Sequence, residues 1–572
     1  MKSFNKIFQS REFIIINLII LFILINLIGY NLNLRLDLTK EKINSVSQST
    51  YKVLQKLKIP LLIEAYVSKD IPGQILSQLQ PIFYQLEDVK RIGGDKITLK
   101  IIDPTTEELK NLATKRGIQG IPIEEADINK ASVRLGYFGI YLQYGDKTST
   151  ISLVEQGGIV GNFEYILLKE IKKLTLDREK KSGIGYAKVE GTLEFRRWQT
   201  RLDMDKDNLY AFKNFIEREL GTIQEISLNE PIPDTIETLM IVGLPKFSRK
   251  QQVYLDQFLM RGGNLLFMLK GFDFTITPPN PQLLQMGISS GTGGYVNFPE
   301  EVDRINEFLN RYGFEIKKRV LLEPTLAAPE LDVLGQYFGK YPNPSWSIYS
   351  HEYQNINKTE EIIKDISYVI FPWFSDIQFN PNVQPNVSYK VLIHTSKNVI
   401  EKKEIALNLK ELQSILKNQE ASLNQNLPVM VFAKGKFVSG FKEDYENNQL
   451  DEISENLKQN FIKGQIGNTE GKILILGTPY LVSDIFFRNE GNLEYFKINM
   501  VFISNILEYL QGDLDLLAVR SKISTVPFLK VNLGQGLELI FSWFHTLFIP
   551  VVLGFYGFIR LKKRYRKQGV EE

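Results

Sequence analysis

The hydrophobic pattern between residues 47 and 174 switches repeatedly between the period of a helix and the period of a strand. Apolar residues three or four positions apart indicate helices, and alternation or a short apolar run indicates a strand. Ser47 stands where a helix cap is expected, the segment from Thr106 starts with the acidic residues that favour a helix start, and Gly145-Asp146 reads as a hairpin turn. The predicted elements are a helix from Ser47, a strand at Leu61–Ser68, a helix at Gly73–Ile92, a strand at Ile97–Asp103, a helix at Thr106–Arg116, strands at Ser132–Tyr144 and Thr148–Val154, and a helix at Phe163–Leu174.

This order of strands and helices is that of a thioredoxin-like domain, which we place at residues 61–180. The stretch from Arg116 to Pro122 also looks like the thioredoxin segment that carries a cis-proline. The chain contains no cysteine, so thiol–disulfide chemistry is excluded.

The next part of the chain alternates strands and helices, with strands that are apolar throughout. Such strands are typical of a mostly parallel sheet that is covered by helices on both faces. We assign residues 181–535 to this α/β domain. Strands are predicted at 183–190, 223–228, 238–242, 264–270, 320–322, 367–371, 391–394, 429–433 and 473–476, and helices at 208–220, 248–261, 300–312 and 495–510.

Three stretches of this domain are predicted to be loops or surface excursions. Residues 277–298 are rich in proline, glycine and serine, and residues 341–360 and 373–388 contain many asparagines and prolines.

Two uncharged segments lie near the ends of the chain, at 13–34 and 539–559. As a helix, the first would extend roughly 33 Å, which is enough to cross the hydrocarbon layer of a bilayer. A cleaved signal peptide needs a small-residue cleavage site, and the first alanine is Ala65. We therefore predict two transmembrane helices, with residues 35–60 as a juxtamembrane helix and linker.

Basic residues flank both segments on their outer sides. The tails at 1–12 and 560–572 carry net charges of +2 and +4, whereas the whole chain carries +3. The positive-inside rule then places both tails in the cytoplasm and the body outside, in the periplasm of a cell with two membranes. A nucleic-acid-binding protein would carry its basic surface on the folded body, so that class is set aside.

The sequence offers few candidates for chemistry. Ser289 lies in a G-x-S-x-G match, but the flanking residues are those of a loop and not of a strand and a helix. Asp203–Asp207 begins like a calcium loop, yet the required glycine and glutamate are absent. No cofactor site and no catalytic residue is predicted.

Three polar residues fall within the predicted membrane helices: Asn17, Asn26 and His545. Polar groups at this depth usually face protein and not lipid, so they are candidate contacts with a partner. The alternative is that the membrane tolerates them.

Short motifs along nearly the whole chain resemble those of the GldG-type, gliding-motility-associated family of ABC transporter auxiliary proteins. Individually they are of modest specificity, and their order and spacing carry the resemblance. The matching residues are Arg35, Asp37, Thr39, Asp103, Pro104, Glu164, Tyr165, Gly243, Pro245, Asp256, Gly262, Gly263, Gly477, Asp484, Asn499, Gly512 and Asp513. One departure is Val189-Glu190-Gly191, where members of the family often have a His-Gly-Glu-like segment.

The resemblance implies an α/β architecture in which two terminal transmembrane helices flank an exported thioredoxin-like domain and a mostly parallel, glutamine-amidotransferase-like (flavodoxin-like) domain. It also implies a non-enzymatic auxiliary subunit, in some members described as substrate-binding, that works with an ABC permease and an ATP-binding subunit in the membrane lipid. The alternatives are an exported solute- or glycan-binding protein and an envelope enzyme of amidotransferase-like fold. The oligomeric state, the transported substrate and any link to gliding stay open.

Overall fold

A computed structural model describes the fold of most of the chain. The described residues are 21, 45–69, 73–127, 130–155, 158–159, 162–175, 183–198, 206–276, 294–328, 342–363, 366, 368–402, 409–417, 421–488, 492–512, 516, 519, 544, 548, 550–552, 554–560 and 562. The chain divides into two compact units, at residues 1–524 and 525–572.

The first sheet of the larger unit is built around strand β1 and a long hairpin. β1 pairs with β2 in parallel and with β4 in antiparallel orientation, and β4 also pairs with β3 and β5 along different parts of its length. The helices and strands of this part of the chain are α1 (Gln48–Gln55), β1 (Leu61–Val67), α2 (Gly73–Gly93), β2 (Ile97–Ile102), α3 (Glu107–Lys115), β3 (Gly120–Asp127), β4 (Lys130–Tyr144), β5 (Lys147–Ser152), β6 (Val154–Glu155), β7 (Gly158–Ile159) and α4 (Phe163–Thr175).

Sequence periodicity places these elements to within a few residues, except for strand β3 and the short strands β6 and β7. Strand β3 was not predicted, and Pro122 lies within it. No cis peptide bond occurs among the described residues, so the local similarity to a cis-proline segment was wrong. The thioredoxin-like assignment of this region stays a prediction.

A seven-stranded sheet forms the centre of the second part of the larger unit, within the described residues. Its strand order is β20-β22-β23-β11-β10-β8-β9, and four of the six strand pairs are parallel. The strands are β8 (Ile184–Ala187), β9 (Gln224–Ile226), β10 (Thr238–Gly243), β11 (Asn264–Leu269), β20 (Val387–His394), β22 (Pro428–Gly435) and β23 (Gly471–Leu476).

Both faces of this sheet are buried, which explains why its central strands are apolar at every position. Along β10, Met240 and Val242 point into one core, while Leu239 and Ile241 point into the other. Helices α5 (Tyr210–Leu220) and α11 (Leu493–Leu510) cover the first face, and α6 (Arg249–Met260) and α7 (Glu301–Asn310) cover the second. The amidotransferase-like assignment stays a prediction.

Smaller sheets and short helices extend this domain. They comprise the pairs β12 (Asp273–Ile276) with β13 (Gly294–Asn297), β14 (Phe314–Ile316) with β19 (Ile377–Phe379), and β15 (Val320–Leu322) with β21 (Ile400–Lys402), the sheet of β16 (Ala327–Ala328), β17 (Asn343–Ser350) and β18 (Tyr368–Pro372), and helices α8 (Leu409–Leu416), α9 (Lys442–Glu446) and α10 (Glu455–Gln459).

The predicted surface excursions are partly wrong. Strand β17 lies within 341–360, pairs with β18 and buries Trp346 at 1% exposure. Trp373 and Phe374 are also buried, although they fall in 373–388, and 277–298 ends in strand β13. Asparagine and proline suggested loops, but the aromatic residues between them supply apolar surface to the first core.

The smaller unit, residues 525–572, contains the second predicted membrane segment. Its described residues between 544 and 562 are helical, and the side chains of Phe555, Tyr556 and Phe558 are more than 60% exposed. Segment 13–34 lies outside the described residues except for Leu21. No helix within the described parts of the chain combines the length and apolar character that a membrane crossing requires.

The backbone segment that follows β8 crosses the end of β10 and is hydrogen-bonded to it. The N–H of Leu244 donates to the carbonyl of Gly191 (2.8 Å), and the N–H of Leu193 donates to the carbonyl of Val242 (2.9 Å). A Cβ on Gly191 would lie 2.0 Å from the carbonyl oxygen of Leu244, and the φ of Gly191 is +87°. The crossing therefore requires glycine for both its conformation and its lack of a side chain.

We predict that Gly191→Ala destabilises the protein substantially more than Gly467→Ala. Gly467 also has a positive φ, +65°, but no atom lies within 4 Å of its missing Cβ. Both variants incur the ~1–2 kcal/mol cost of a left-handed conformation, and Gly191→Ala adds the cost of overpacking, about 1–3 kcal/mol. Thermal melting of both purified variants tests this, and equal melting temperatures would contradict the close crossing.

Candidate functional site

The carboxyl edge of the parallel strands is where a ligand or active site is expected in an open α/β sheet. Such sites form where the strand order reverses, because the connections on either side leave a crevice there. Here the reversal lies at β8, which has β9 on one side and β10 on the other. The Gly191–Leu193 backbone occupies this position, since it is hydrogen-bonded to the end of β10.

Charged residues collect farther along the same edge, where β11 ends. Lys270 follows β11 directly, and its Nζ lies 2.9 Å from Oδ1 of Asp273. The Nζ of Lys206 lies 2.8 Å from the same oxygen. The carboxylate of Asp207 lies 3.7 Å from the Nζ of Lys206 through its Oδ2 and 4.0 Å from the Nζ of Lys270 through its Oδ1. We call Lys206, Asp207, Lys270 and Asp273 the lysine–aspartate cluster.

Both lysines of the cluster are nearly inaccessible to solvent, with Lys206 at 7% and Lys270 at 5% exposure. The Nζ of Lys206 lies 4.4 Å from the ring centre of Phe274, and that of Lys270 lies 5.7 Å from the ring centre of Tyr480. Aromatic faces and carboxylates together compensate for the removal of the ammonium groups from water.

The electrostatics of the cluster favour permanent charges over proton exchange. Burial acts to raise the pKa of Asp273, but the charges and hydrogen bonds of Lys270 and Lys206 outweigh it, so the pKa is lowered. Asp273 is therefore ionised at neutral pH. A general acid or base needs a pKa near the working pH, and this carboxylate is shifted away from it.

Asp484, one of the motif residues, caps a helix that is distant in sequence. Its two carboxylate oxygens accept hydrogen bonds from the N–H groups of Tyr210 and Ala211, each at 3.0 Å. The residue at the local cap position, Leu209, has no side-chain oxygen to offer. Asp484 thus satisfies donors at the start of α5 that the local sequence leaves without a partner.

Asn499 has a comparable role in joining α11 to the β18 sheet. Its Nδ2 donates to the carbonyls of Ile370 (3.0 Å) and Leu481 (2.9 Å), and its Oδ1 accepts from the N–H of Ile370 (3.1 Å). All of these groups are buried, so the amide replaces water for backbone atoms that would otherwise lack a partner.

Asp256 lies on α6 and connects it to the loop that follows β22. Its carboxylate accepts from the hydroxyls of Tyr312 (2.5 Å) and Ser439 (2.9 Å) and from the N–H of Gly440 (2.9 Å). The side chain is fully buried, and burial raises its pKa to about 6. The neighbouring Gln257 also donates to it at 2.7 Å.

The motif residues Glu164 and Tyr165 act in the first part of the chain. Oε1 of Glu164 accepts from the N–H of Ser47 (2.5 Å) and the hydroxyl of Thr50 (2.6 Å), which fixes the start of α1 against α4. The hydroxyl of Tyr165 donates to Glu508 at 2.7 Å and so links α4 to α11.

The other described motif residues lie at turns that follow helices and strands. Gly262 has φ +96° after α6, and the N–H of Gly263 donates back to Phe258, which is the glycine-dependent end of a helix. A Cβ on Gly477 would lie 1.9 Å from the carbonyl oxygen of Ser375. Asp103 and Pro104 follow β2, Gly243 ends β10 and is followed by Pro245, and Gly512 follows α11.

Several predicted residues lie outside the described part of the chain. They are Asn17, Asn26, Arg35, Asp37, Thr39, Ser289, Asp513 and His545.

The structure does not gather the described motif residues into one site. Asp256 and Asp484 are on separate elements with separate partners, and Glu164 is in the first part of the chain. No group of three or more metal-ligating side chains occurs among the described residues. Sequence reasoning missed the lysine–aspartate cluster, although a lysine directly after a buried strand, as at Lys270, was a usable signal.

We predict that Asp484 makes stability depend on pH in a defined direction. Burial raises the pKa of Asp484 to about 6, against the effect of its two N–H donors, whereas an unfolded aspartate titrates near ~3.9. The contribution of Asp484 to the free energy of unfolding is therefore complete below about pH 4 and is lost as the pH rises through about 6.

The variant Asp484→Asn keeps one acceptor oxygen and carries no charge. Between about pH 4.5 and about pH 7.5 it should gain on the wild type by about 2 kcal/mol, because the whole effect, at ~1.4 kcal/mol per unit of pKa, is already partly developed at pH 4.5. Melting temperatures across this range test the prediction, with Asp451→Asn as an exposed control. Parallel profiles for wild type and Asp484→Asn would contradict it.

Comparison with known proteins identifies relatives for most of the chain. The model of a family described as an ABC-type uncharacterized transport system, named for an auxiliary component, matches residues 181–506. A domain of unknown function, DUF7088, matches residues 40–143. No curated protein matches the sequence.

Among solved structures, a match is found to the "mmIFT52 N-terminal domain". It covers 57% of this chain and 96% of that chain, with 11% sequence identity and a TM-score of 0.29. A TM-score this low establishes neither a shared fold nor a shared function. The family match, by contrast, spans more than half of the sequence and includes the seven-stranded sheet with both of its cores. The chain therefore belongs to the family of auxiliary components of ABC-type transport systems.

Proposed function

We propose that the protein is a non-enzymatic, membrane-anchored subunit that binds the permease and the ATP-binding subunit of an ABC transporter. Membership of the auxiliary family supports an association with such a system. The motif resemblance to GldG-type proteins supports the more specific assignment. In this proposal the protein takes part in transport without hydrolysing ATP itself.

The non-enzymatic role is supported by the contacts of the buried motif residues, whose polar side chains bind other parts of the protein. Asp484, Asn499 and Asp256 direct their side chains to backbone or hydroxyl groups of other elements. A catalytic residue would instead present a polar atom to a space where a substrate can lie. At the reversal of strand order that space is occupied by the backbone at Gly191.

Membrane anchoring is supported by the two uncharged segments at 13–34 and 539–559 and by their basic flanks. The described residues of the second segment add exposed apolar side chains, including Phe555 and Phe558. Contiguous apolar surface of this kind is normally covered by lipid or by protein. In the proposed arrangement both tails are cytoplasmic and residues 35–538 lie in the periplasm.

A second candidate function is solute binding by the exported body. A cavity of about 650 Å³ in the family-matched domain favours it. An envelope enzyme is the weaker alternative, because the lysines at the carboxyl edge of the sheet are buried and paired with Asp273, which they hold ionised.

We predict that only the body is labelled from outside the cytoplasmic membrane. Single cysteines are introduced at Ser3, Asn468 and Gln568 of this cysteine-free chain, with Asn468 in an exposed turn. An impermeant thiol reagent applied to cells with a permeabilised outer membrane should modify the Asn468→Cys protein alone. Labelling at either terminal position would refute the topology, and lysed cells provide the control for reactivity.

We also predict that polar groups in the two segments contribute to assembly. Replacing Asn17, Asn26 and His545 by leucine should reduce recovery of the permease, because interhelical hydrogen bonds are worth ~0.6–2 kcal/mol each. Insertion should persist, since leucine favours it. The measurement is recovery of permease and ATP-binding subunit with affinity-tagged protein at matched expression. Leucine in place of Ile16, Ile25 and Ile549 in the same segments is the control and should leave recovery unchanged. Equal recovery would show that these residues are not contacts and that assembly depends on the exported body.

A further inference from the structure

A cavity lies between α6 and α7 on the second face of the large sheet. Its volume is about 650 Å³, which falls within the range of small-molecule sites. Phe247, four residues beyond the end of β10, contributes an apolar part of the wall. The polar part of the wall is formed by Arg249, Gln252, Arg304, Glu307, Asn310 and Arg311.

The spacing of these residues places them on matching faces of the two helices. Arg304, Glu307 and Arg311 are three and four positions apart along and just beyond α7, so they share one side of that helix. Arg249 and Gln252 are three apart at the start of α6 and share one side there. The cavity therefore has a polar wall from each helix.

Two of the arginines are held in position by neighbouring groups. Asp444 pairs with Arg249 at 3.2 Å and with Arg311 at 3.0 Å, one carboxylate oxygen to each. Arg311 also donates to the carbonyl of Gly440 (2.5 Å), and its guanidinium lies 4.2 Å from the ring centre of Phe441. Fixed guanidinium groups lose little freedom when a ligand binds.

Arg304 differs from these two because it is exposed and is not held by Asp444; its acidic neighbour is Glu301, which is itself paired with Lys246 at 3.2 Å. With Glu307 as the one acidic residue of the wall, three arginines give the lining a net charge of +2. Counting Asp444 behind the wall still leaves +1. The cavity is therefore complementary to an anion of one or two charges.

We propose that this cavity binds a phosphate-bearing ligand. A phosphate monoester carries a charge of about −1.5 to −2 at neutral pH, close to that needed to neutralise the lining. Its three terminal oxygens accept hydrogen bonds in several directions, so guanidinium groups from two helices can bind it together. The ligand is either a soluble organic phosphate or the phosphate headgroup of a lipid, since both present this chemistry. The site concerns the body of the protein and does not depend on the transporter partners.

The test uses the full-length protein in detergent, with two probes at constant ionic strength. sn-Glycerol 3-phosphate represents a soluble phosphate, and dihexanoyl phosphatidic acid represents a lipid headgroup. Binding is measured by isothermal titration calorimetry. We expect Arg304→Gln to weaken binding about tenfold or more, because it removes a charged, two-pronged donor. Arg218→Gln, which changes an arginine with a 73% exposed side chain elsewhere in the same domain, is the matched control and should bind as the wild type does.

The outcomes distinguish the two sources and can overturn the proposal. If the wild-type protein binds glycerol 3-phosphate as tightly as the lipid, the ligand is a soluble phosphate. If it binds the lipid markedly more tightly, the ligand is a lipid headgroup whose acyl chain lies beside Phe247. Circular dichroism and melting of Arg304→Gln verify that the variant is folded, as its exposure leads us to expect. If neither probe binds at millimolar concentration, or if Arg304→Gln binds as tightly as the wild type, the cavity is not a phosphate site.

Discussion

The large sheet of this protein is apolar on both faces, and that constraint organises the family-matched domain. Strands such as β10 and β11 are buried at every position, so helices must cover each side of them. Helices α5 and α11 cover one face and α6 and α7 the other, and each face has its own continuous core. At 25 cal/mol or so for each Å² of apolar surface buried, these cores supply most of the driving force for folding in a chain that has no disulfides.

Covering a sheet in this way creates helix ends and loops whose polar groups are far from water. The motif residues provide hydrogen-bond partners for these buried groups. Asp484 reaches α5 from a position 274 residues later in the chain, and Asp256 joins α6 to a loop 184 residues away. Removing a partner from such a buried group costs about 1–3 kcal/mol, which is a large fraction of the stability of a typical domain.

The charged groups at the carboxyl edge of the sheet and at the α6–α7 cavity differ in their balance of charge. In the lysine–aspartate cluster two lysines face two aspartates, and the lysines are almost completely buried. At the cavity three arginines face one glutamate, and Arg304 is open to solvent. A neutral set of paired charges with buried lysines stabilises the connection between elements, whereas an excess of accessible positive charge is suited to binding an anion.

The sequence by itself determined the local elements of this protein. Helix caps such as Ser47 and Ser248, the periodicity of apolar residues and the continuous apolar strands placed most helices and strands to within a few residues, because these signals act between neighbours in the chain. Tertiary structure decided what the sequence could not: that the stretch around Trp346 is a buried strand, that Asp484 caps α5, that Gly191 closes the crevice, and that Arg249 and Arg304 line one cavity. Each of these depends on which distant segments meet, and that is settled by the packing of whole faces against one another, about which the residue types of a single segment carry no information.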